Sequence, residues 1–320
     1  MRTSHIVLAV LVLAGCSNAP AAPDVRRAAI QPGPYTPGQS YFGRNNYIEY
    51  MAGNAPVILS APHGGSLTPA EIPDRKSGSC GGSATTGKDL NTRELALAMR
   101  QRYFARFGKY PHVVINHLHR IKLDANRDLL EGACNDAEAK TAWNEFQDFL
   151  TVARGAVTTA SGKGWYMDMH GHGHSIQRLE LGYLLSDAQL DRSNATLDAS
   201  KAYEDTSTIK TLSEHAGISF SALLRGPASL GTLYANNGFP SVPSSTYPSA
   251  ASGEAYFSGG YNTQRHACGV EAGGGPICGV QIEANYTGVR DTQANRDRFG
   301  DVTAAVLDTY LTQHWGLDLD

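Results

Sequence analysis

Apolar residues along this 320-residue chain gather in short continuous runs that alternate with stretches of helical period. Residues 55–61 read as a buried strand, ended by Pro62-His63-Gly64-Gly65. Residues 90–107 show helical spacing, with Asp89 placed to cap the first turn and Gly108 to close the last. Residues 112–118 form a second strand that runs into the charged segment Arg120–Arg127. A helix over 137–153, a strand over 164–169, a strand over 179–186 and a helix over 199–216 follow. Residues 225–275 keep no period, and their Gly, Ser, Pro and Tyr predict loops covering a site. A strand over 279–284 and a helix over 292–314 close the chain. Strands alternate with helices and no internal repeat intervenes. The pattern therefore predicts a single α/β domain with a mixed central β-sheet flanked by helices.

The first residues depart from that pattern. Met1–Gly15 carries Arg2 and then the apolar run 6–14, too short to span a bilayer and suited to a secretory signal peptide. It ends Leu13-Ala14-Gly15-Cys16, similar to a bacterial lipoprotein box in which the Cys16 thiol takes the lipid. Ser17 matches the outer-membrane sorting default, so an exported lipoprotein facing the periplasm or cell surface is expected. Prolines 20, 23, 32, 34 and 37 make residues 16–38 a tether, which leaves 39–320 as the functional domain. Four cysteines remain, an even number that in an exported chain suggests disulfides. Of the three pairings, Cys268–Cys278 with Cys80–Cys134 is favoured, because the first closes a short Gly-rich loop with little else to hold it. No Cys-x-x-Cys spacing points to a cysteine metal site.

Composition narrows the class further. Hydrophobic residues at 41% and charged residues at 18% support a sizeable core and argue against disorder. Lys and Arg number 27 against 30 Asp and Glu, a net charge of −3, which offers no footprint for a nucleic-acid backbone. No run reaches the roughly 18 apolar residues of a membrane span, so the expected membrane contact is the lipid anchor alone.

Ligands of α/β sheets gather beyond the carboxyl ends of the strands, and that rule selects His63 and His170, each beside glycines after a strand. Neutral imidazole is the commonest metal ligand, and catalytic zinc takes three protein ligands plus water. Asp89 is the best third ligand, with Glu94 and Glu71 as substitutes, and Asp168 is placed to orient a ligand from behind. His172 and His174 complete a His-x-His-x-His run and read as pocket wall or proton carriers, with a nickel- or copper-binding tract as the rival. Arg120, Asn126 and Arg127 supply forked donors suited to a carboxylate, and Asp124 sits among them to hold an arginine in place. Glu283, alone in a small and apolar strand, has the environment that raises a carboxyl toward the pKa of a general base. There is no Gly-x-Ser-x-Gly elbow, His-Glu-x-x-His pair or phosphate-binding glycine motif.

Pro62-His63-Gly64-Gly65, Asp89, Arg120-x-x-x-Asp124-x-Asn126-Arg127, Asp168-x-His170 and Gln281-x-Glu283 occur in that order over residues 55–290. Together they resemble the N-formylglutamate amidohydrolase family, within the broader zinc carboxypeptidase-like fold. The resemblance implies a zinc ion on His63, Asp89 and His170. It also implies Glu283 as catalytic carboxylate, and Arg120, Asn126 and Arg127 as contacts to the oxyanion and a substrate carboxylate. His172 and Tyr261 are expected to line the substrate. Zinc carboxypeptidases place an acidic ligand three residues after the first His, where this chain has Ser66. The implied activity is hydrolysis of a C–N amide bond in a small carboxylate-bearing N-acyl amino acid or short peptide. An exported carboxypeptidase or cell-wall peptide amidase is the alternative enzyme, and a non-catalytic binding lipoprotein the alternative class.

Overall fold

The computed structural model describes residues 30–320 apart from 32, 79, 81, 83 and 270–274. The leader, Cys16 and most of the tether lie outside the described residues. Eight strands build one sheet: β1 (Ser40–Phe42), β2 (Ile48–Met51), β3 (Val57–Ala61), β4 (His112–Asn116), β5 (Gly164–Gly171), β6 (Leu179–Gly182), β7 (Ser241–Val242) and β8 (Ile277–Ala284). Their order is β1-β2-β4-β3-β5-β8-β6-β7. The central strands β4, β3, β5 and β8 run parallel. Antiparallel β2 beside β4 and β6 beside β8 make the sheet mixed. The architecture is α/β, with helices on both faces of the sheet.

Burial on both faces explains why the central strands read as continuous apolar runs. Side chains alternate between faces with a period of two. Val57, Leu59, Trp165, Met167, Val280 and Ile282 pack with the helices Thr92–Phe107 and Gln293–Trp315. Ile58, Val114, Tyr166 and Ile277 face the helix Ala137–Ser161. Along this second face the strands change character toward their carboxyl ends. Ile58 gives way to Ser60, Tyr166 to Asp168 and His170, and Ile277 to Gln281 and Glu283, all buried. That change of polarity marks where the sheet stops being core and becomes a site. Among the described residues no helix is long and apolar enough to cross a membrane.

Several elements differ from the sequence expectation. The predicted helix 199–216 is two helices, Lys201–Thr206 and Lys210–His215. Thr208 between them is drawn to the sheet: its N–H donates to Tyr183 O (3.1 Å), and its carbonyl accepts from Gly279 N–H (3.1 Å). Those long-range bonds outweigh local helical propensity. Residues 225–275 are not loops throughout, since Leu230–Asn236, β7 and Tyr261–His266 lie within them. The hairpin β1–β2 was not anticipated, because three- and four-residue strands carry little period. Cys80 faces Cys134 with Cα atoms 4.5 Å apart, and Cys268 faces Cys278 at 4.4 Å, spacings that fit disulfide geometry.

Candidate metal centre

Three parallel strands and one loop meet at the polar end of the sheet. His63 follows β3, His170 lies in β5, and Asp89 sits in the loop before the helix Thr92–Phe107. The sequence pattern predicts Asp89 as the N-cap of that helix. Instead Asn91 holds the cap position, and Thr92 bonds the carbonyl of Asp89 (hydroxyl at 2.9 Å) rather than its side chain. The carboxylate is thereby left to turn toward the histidines.

His63 Nδ1 and His170 Nδ1 are 3.1 Å apart, and Asp89 Oδ2 is 3.3 Å from each. A tetrahedral centre with bonds of about 2.0–2.1 Å spaces its ligand atoms about 3.3–3.4 Å apart. The donor triangle therefore has the size of one face of such a site. Its chemistry fits as well, because two imidazole nitrogens and a carboxylate oxygen are a three-ligand set of the kind catalytic sites use. These three residues form a cluster compatible with a metal ion.

Each imidazole is held from behind by a buried carboxylate. Asp124 Oδ1 lies 2.6 Å from His63 Nε2, and Asp168 Oδ2 lies 2.8 Å from His170 Nε2. A carboxylate on the far nitrogen places the proton there and leaves Nδ1 free to coordinate. Asp124 in turn accepts from Arg120 Nε (2.9 Å) and from the N–H of Asn126 (3.0 Å). Asp168 accepts from the Ser60 hydroxyl, which also meets the Tyr166 hydroxyl at 2.7 Å. Burial alone would raise Asp89 and Asp124, but the adjacent imidazoles hold both carboxyls well below the usual range. Burial alone would lower His170, and Asp168 with Asp89 outweighs it, so that imidazole is raised well above its usual value.

Glu283 stands opposite His170 in the β5–β8 ladder and is 6% exposed. Burial pushes its carboxyl up to about 8, with His170 partly offsetting. Gln281 Nε2 donates to its Oε1 at 2.9 Å. A cavity of about 180 Å³ opens over this group, walled by His63, Asp89, His170, Glu283, Arg120 and Arg127 among others. Arg120 spans the cluster, with Nε on Asp124 and Nη1 3.7 Å from Asp89 Oδ1. Arg127 is paired with Glu131 at 3.1 Å, still a third exposed at the cavity wall.

The structure therefore brings His63, Asp89, His170, Glu283, Arg120, Asn126 and Arg127 together. Asn126 has little freedom, because its Oδ1 accepts from Asn262 N–H (2.8 Å) and its Nδ2 approaches His170 Nε2 (3.3 Å). His172 and Tyr261 stand back from the cavity wall. His172 Nε2 donates to Arg178 O (2.8 Å), and the Tyr261 hydroxyl accepts from Arg265 (2.9 Å). Glu94 pairs with Arg93 (3.2 Å), Glu71 takes the Tyr47 hydroxyl, and Ser66 accepts from Lys88 (2.7 Å), so none reaches the histidines. Sequence reasoning missed Asp124 as the partner of His63. It also missed Arg290, which donates to the carbonyls of Leu90, His172 and Ala284 beside the cluster. Neither partnership leaves a local pattern to read.

No family model and no curated protein matches the chain. Among solved structures it is similar to a gene product from Agrobacterium tumefaciens, at 13% identity and a TM-score of 0.45, over 83% of this chain and 95% of that one. It is also similar to the N-formylglutamate amidohydrolase from Ralstonia eutropha, at 10% identity and a TM-score of 0.41, over 84% of this chain and 97% of that one.

Proposed function

We propose that this protein is a zinc-dependent hydrolase of a C–N amide bond, acting on a small carboxylate-bearing N-acyl amino acid or short peptide. The observation that carries this reading is the donor triangle of His63, Asp89 and His170 with a protonatable, buried Glu283 beside it. The ordered motifs of the sequence support the same class.

A zinc ion held there would polarise an amide carbonyl and lower the pKa of a water. Glu283 takes the proton of the attacking water on its carboxylate and later returns it to the leaving nitrogen, which asks for a carboxyl poised near neutrality. Arg120 directs its guanidinium at the cavity and offsets negative charge developing on the carbonyl oxygen. Arg127 binds the substrate carboxylate at the rim and fixes the amide near the cluster. A cavity of about 180 Å³ suits a small substrate. In the same proposal the leader and Cys16 anchor the domain to a membrane by lipid, and the substrate is met outside the cytoplasm.

The test joins metal analysis to a screen of N-formyl and N-acyl amino acids, dipeptides and muropeptides. Stoichiometric zinc, and turnover that falls by orders of magnitude in Glu283→Gln while zinc is retained, are expected. Near-normal turnover in Glu283→Gln removes the role of Glu283. Full zinc occupancy in His63→Ala and in His170→Ala removes the site.

A further inference from the structure

The cavity is walled by polar side chains and glycine backbone, with one large exception. Phe257 lines it and keeps 44% of its surface exposed. Exposed aromatic rings are unremarkable when they are loose, but this one is fixed from three directions. Its backbone N–H donates to Glu180 Oε2 at 2.8 Å. The His174 ring stacks on it at 4.8 Å between centroids and 22° between planes. His174 Nδ1 is itself bound to Glu180 Oε1 at 2.7 Å. Neighbours on either side are tied to the β6 edge, by the Tyr256 hydroxyl to Leu181 O (2.7 Å) and by Leu184 N–H to Ser258 O (2.6 Å).

The same bonds account for the second histidine cluster, His172, His174 and Glu180. His172 Nε2 donates to a carbonyl, so its Nδ1 holds the lone pair, and that lone pair accepts the His174 N–H at 3.1 Å. Both oxygens of Glu180 are likewise taken. These groups are committed to one another and to the backbone, and what they build is the backing of the Phe257 ring. An exposed ring on an anchored backbone, stacked on one face by His174 at a polar cavity, is placed to receive an apolar group with little side-chain entropy lost on binding.

We infer that Phe257, backed by His174 and Glu180, is a binding subsite for an apolar or aromatic substituent on the scissile amide. The substrate class becomes an N-acyl amino acid or dipeptide with one carboxylate and one apolar group, larger than a formyl amino acid with polar side chains. This inference rests on the amide-hydrolase reading, so binding is measured separately from turnover.

Calorimetric titrations are made on the zinc-loaded Glu283→Gln protein, which consumes no ligand. The probes are N-acetylglycine, N-benzoylglycine and N-acetylphenylalanine, each with one amide and one carboxylate and differing in a phenyl group on either side. At least one phenyl-bearing probe is expected to bind about tenfold more tightly than N-acetylglycine. Adding Phe257→Ala should abolish that gain, and Phe257→Tyr should restore it. Equal or absent binding of all three probes overturns the subsite, as does a gain that survives Phe257→Ala. A preserved gain with no hydrolysis of any amide by the wild-type protein overturns the hydrolase reading and leaves the subsite standing.

Discussion

Alanine at Gly171 puts the geometry of the site under a defined load. Gly171 ends β5 one residue after His170, and its N–H reaches Asp89 Oδ2 at 3.2 Å. A Cβ there would lie 2.6 Å from both Nε and Nη1 of Arg290, closer than real Cβ contacts allow. Arg290 cannot step aside freely, because it is 3% exposed and each of its three guanidinium nitrogens donates a hydrogen bond. Nε donates to Ala284 O (2.9 Å), Nη2 to His172 O (3.0 Å) and Nη1 to Leu90 O. Those carbonyls belong to the three segments that carry Glu283, His170 and Asp89, so one guanidinium staples the cluster together.

Hydrogen bonds from a charged donor are worth about 1.5–3 kcal/mol each, so losing two of them is expected to cost about 3–6 kcal/mol. The loss should also reach the metal, where removal of outer partners typically weakens binding about 10–100-fold. Urea unfolding of the metal-free protein measures the first effect, and zinc competition against a chromophoric chelator the second. Gly173→Ala is the control, because a Cβ there meets nothing within 4 Å. A Gly171→Ala protein within about 0.5 kcal/mol of wild type, with unchanged zinc affinity, would refute the stapling role.

Three further outcomes are expected. His112, at the far end of β4, accepts from Gly53 N–H (3.2 Å) and the Tyr50 hydroxyl (2.7 Å) through Nδ1, and burial pushes its pKa down from 6.5 to about 4. The unfolded chain then binds the proton more readily, so stability is complete above about pH 6.5 and falls by roughly 3 kcal/mol as the pH drops toward 4. His112→Gln should flatten that slope in urea titrations across the window, and an unchanged slope removes the assignment. Cys80→Ser with Cys134→Ser should cost about 2–5 kcal/mol, while alkylation of all four thiols in unreduced wild type would contradict the pairing. In the metal-free protein Asp168 and Asp89 favour a proton on His170, and zinc must displace it. Zinc-binding enthalpy should then vary with the ionisation enthalpy of the buffer, and identical values in phosphate and Tris would contradict it.

What could be read in the chain and what could not divide along a physical line. The strand end before Pro62-His63-Gly64-Gly65 is a local event, because proline lacks the N–H that a ladder needs, whereas β5 runs on through His170 to Gly171, two residues past the expected end. Glu283 was conspicuous because a carboxylate in an apolar strand is costly to bury. By contrast, the pairing of Asp124 with His63 joins positions 61 residues apart, and Arg290 reaches Leu90 across 200. Neither leaves a period or a composition bias. His172 looked like pocket wall from its place in the His-x-His-x-His run, yet β5 ends at Gly171 and the chain turns its ring onto backbone groups instead. Phe257 lies in a stretch with no period at all, and only the closure of that stretch over β6 brings it to the cavity wall.

The change of polarity along one face of the sheet ties these parts together. Asp168 and Asp124 are almost fully buried, and Asp89 and Glu283 nearly so, in a region where an uncompensated carboxylate is expensive. Arg120 faces this group directly, while Arg290 spends its donors on carbonyls. A divalent cation held by His63, Asp89 and His170 would supply positive charge at the point where the carboxylates converge, and would take up lone pairs that otherwise oppose one another at 3.1–3.3 Å. Asp124 and Asp168 then serve two ends at once: they orient the imidazoles, and they make those imidazoles stronger donors. On this account the charge that would destabilise an empty site is what gives the site its affinity. Mutations that neutralise Asp124 or Asp168 should therefore weaken metal binding far more than they weaken the metal-free fold.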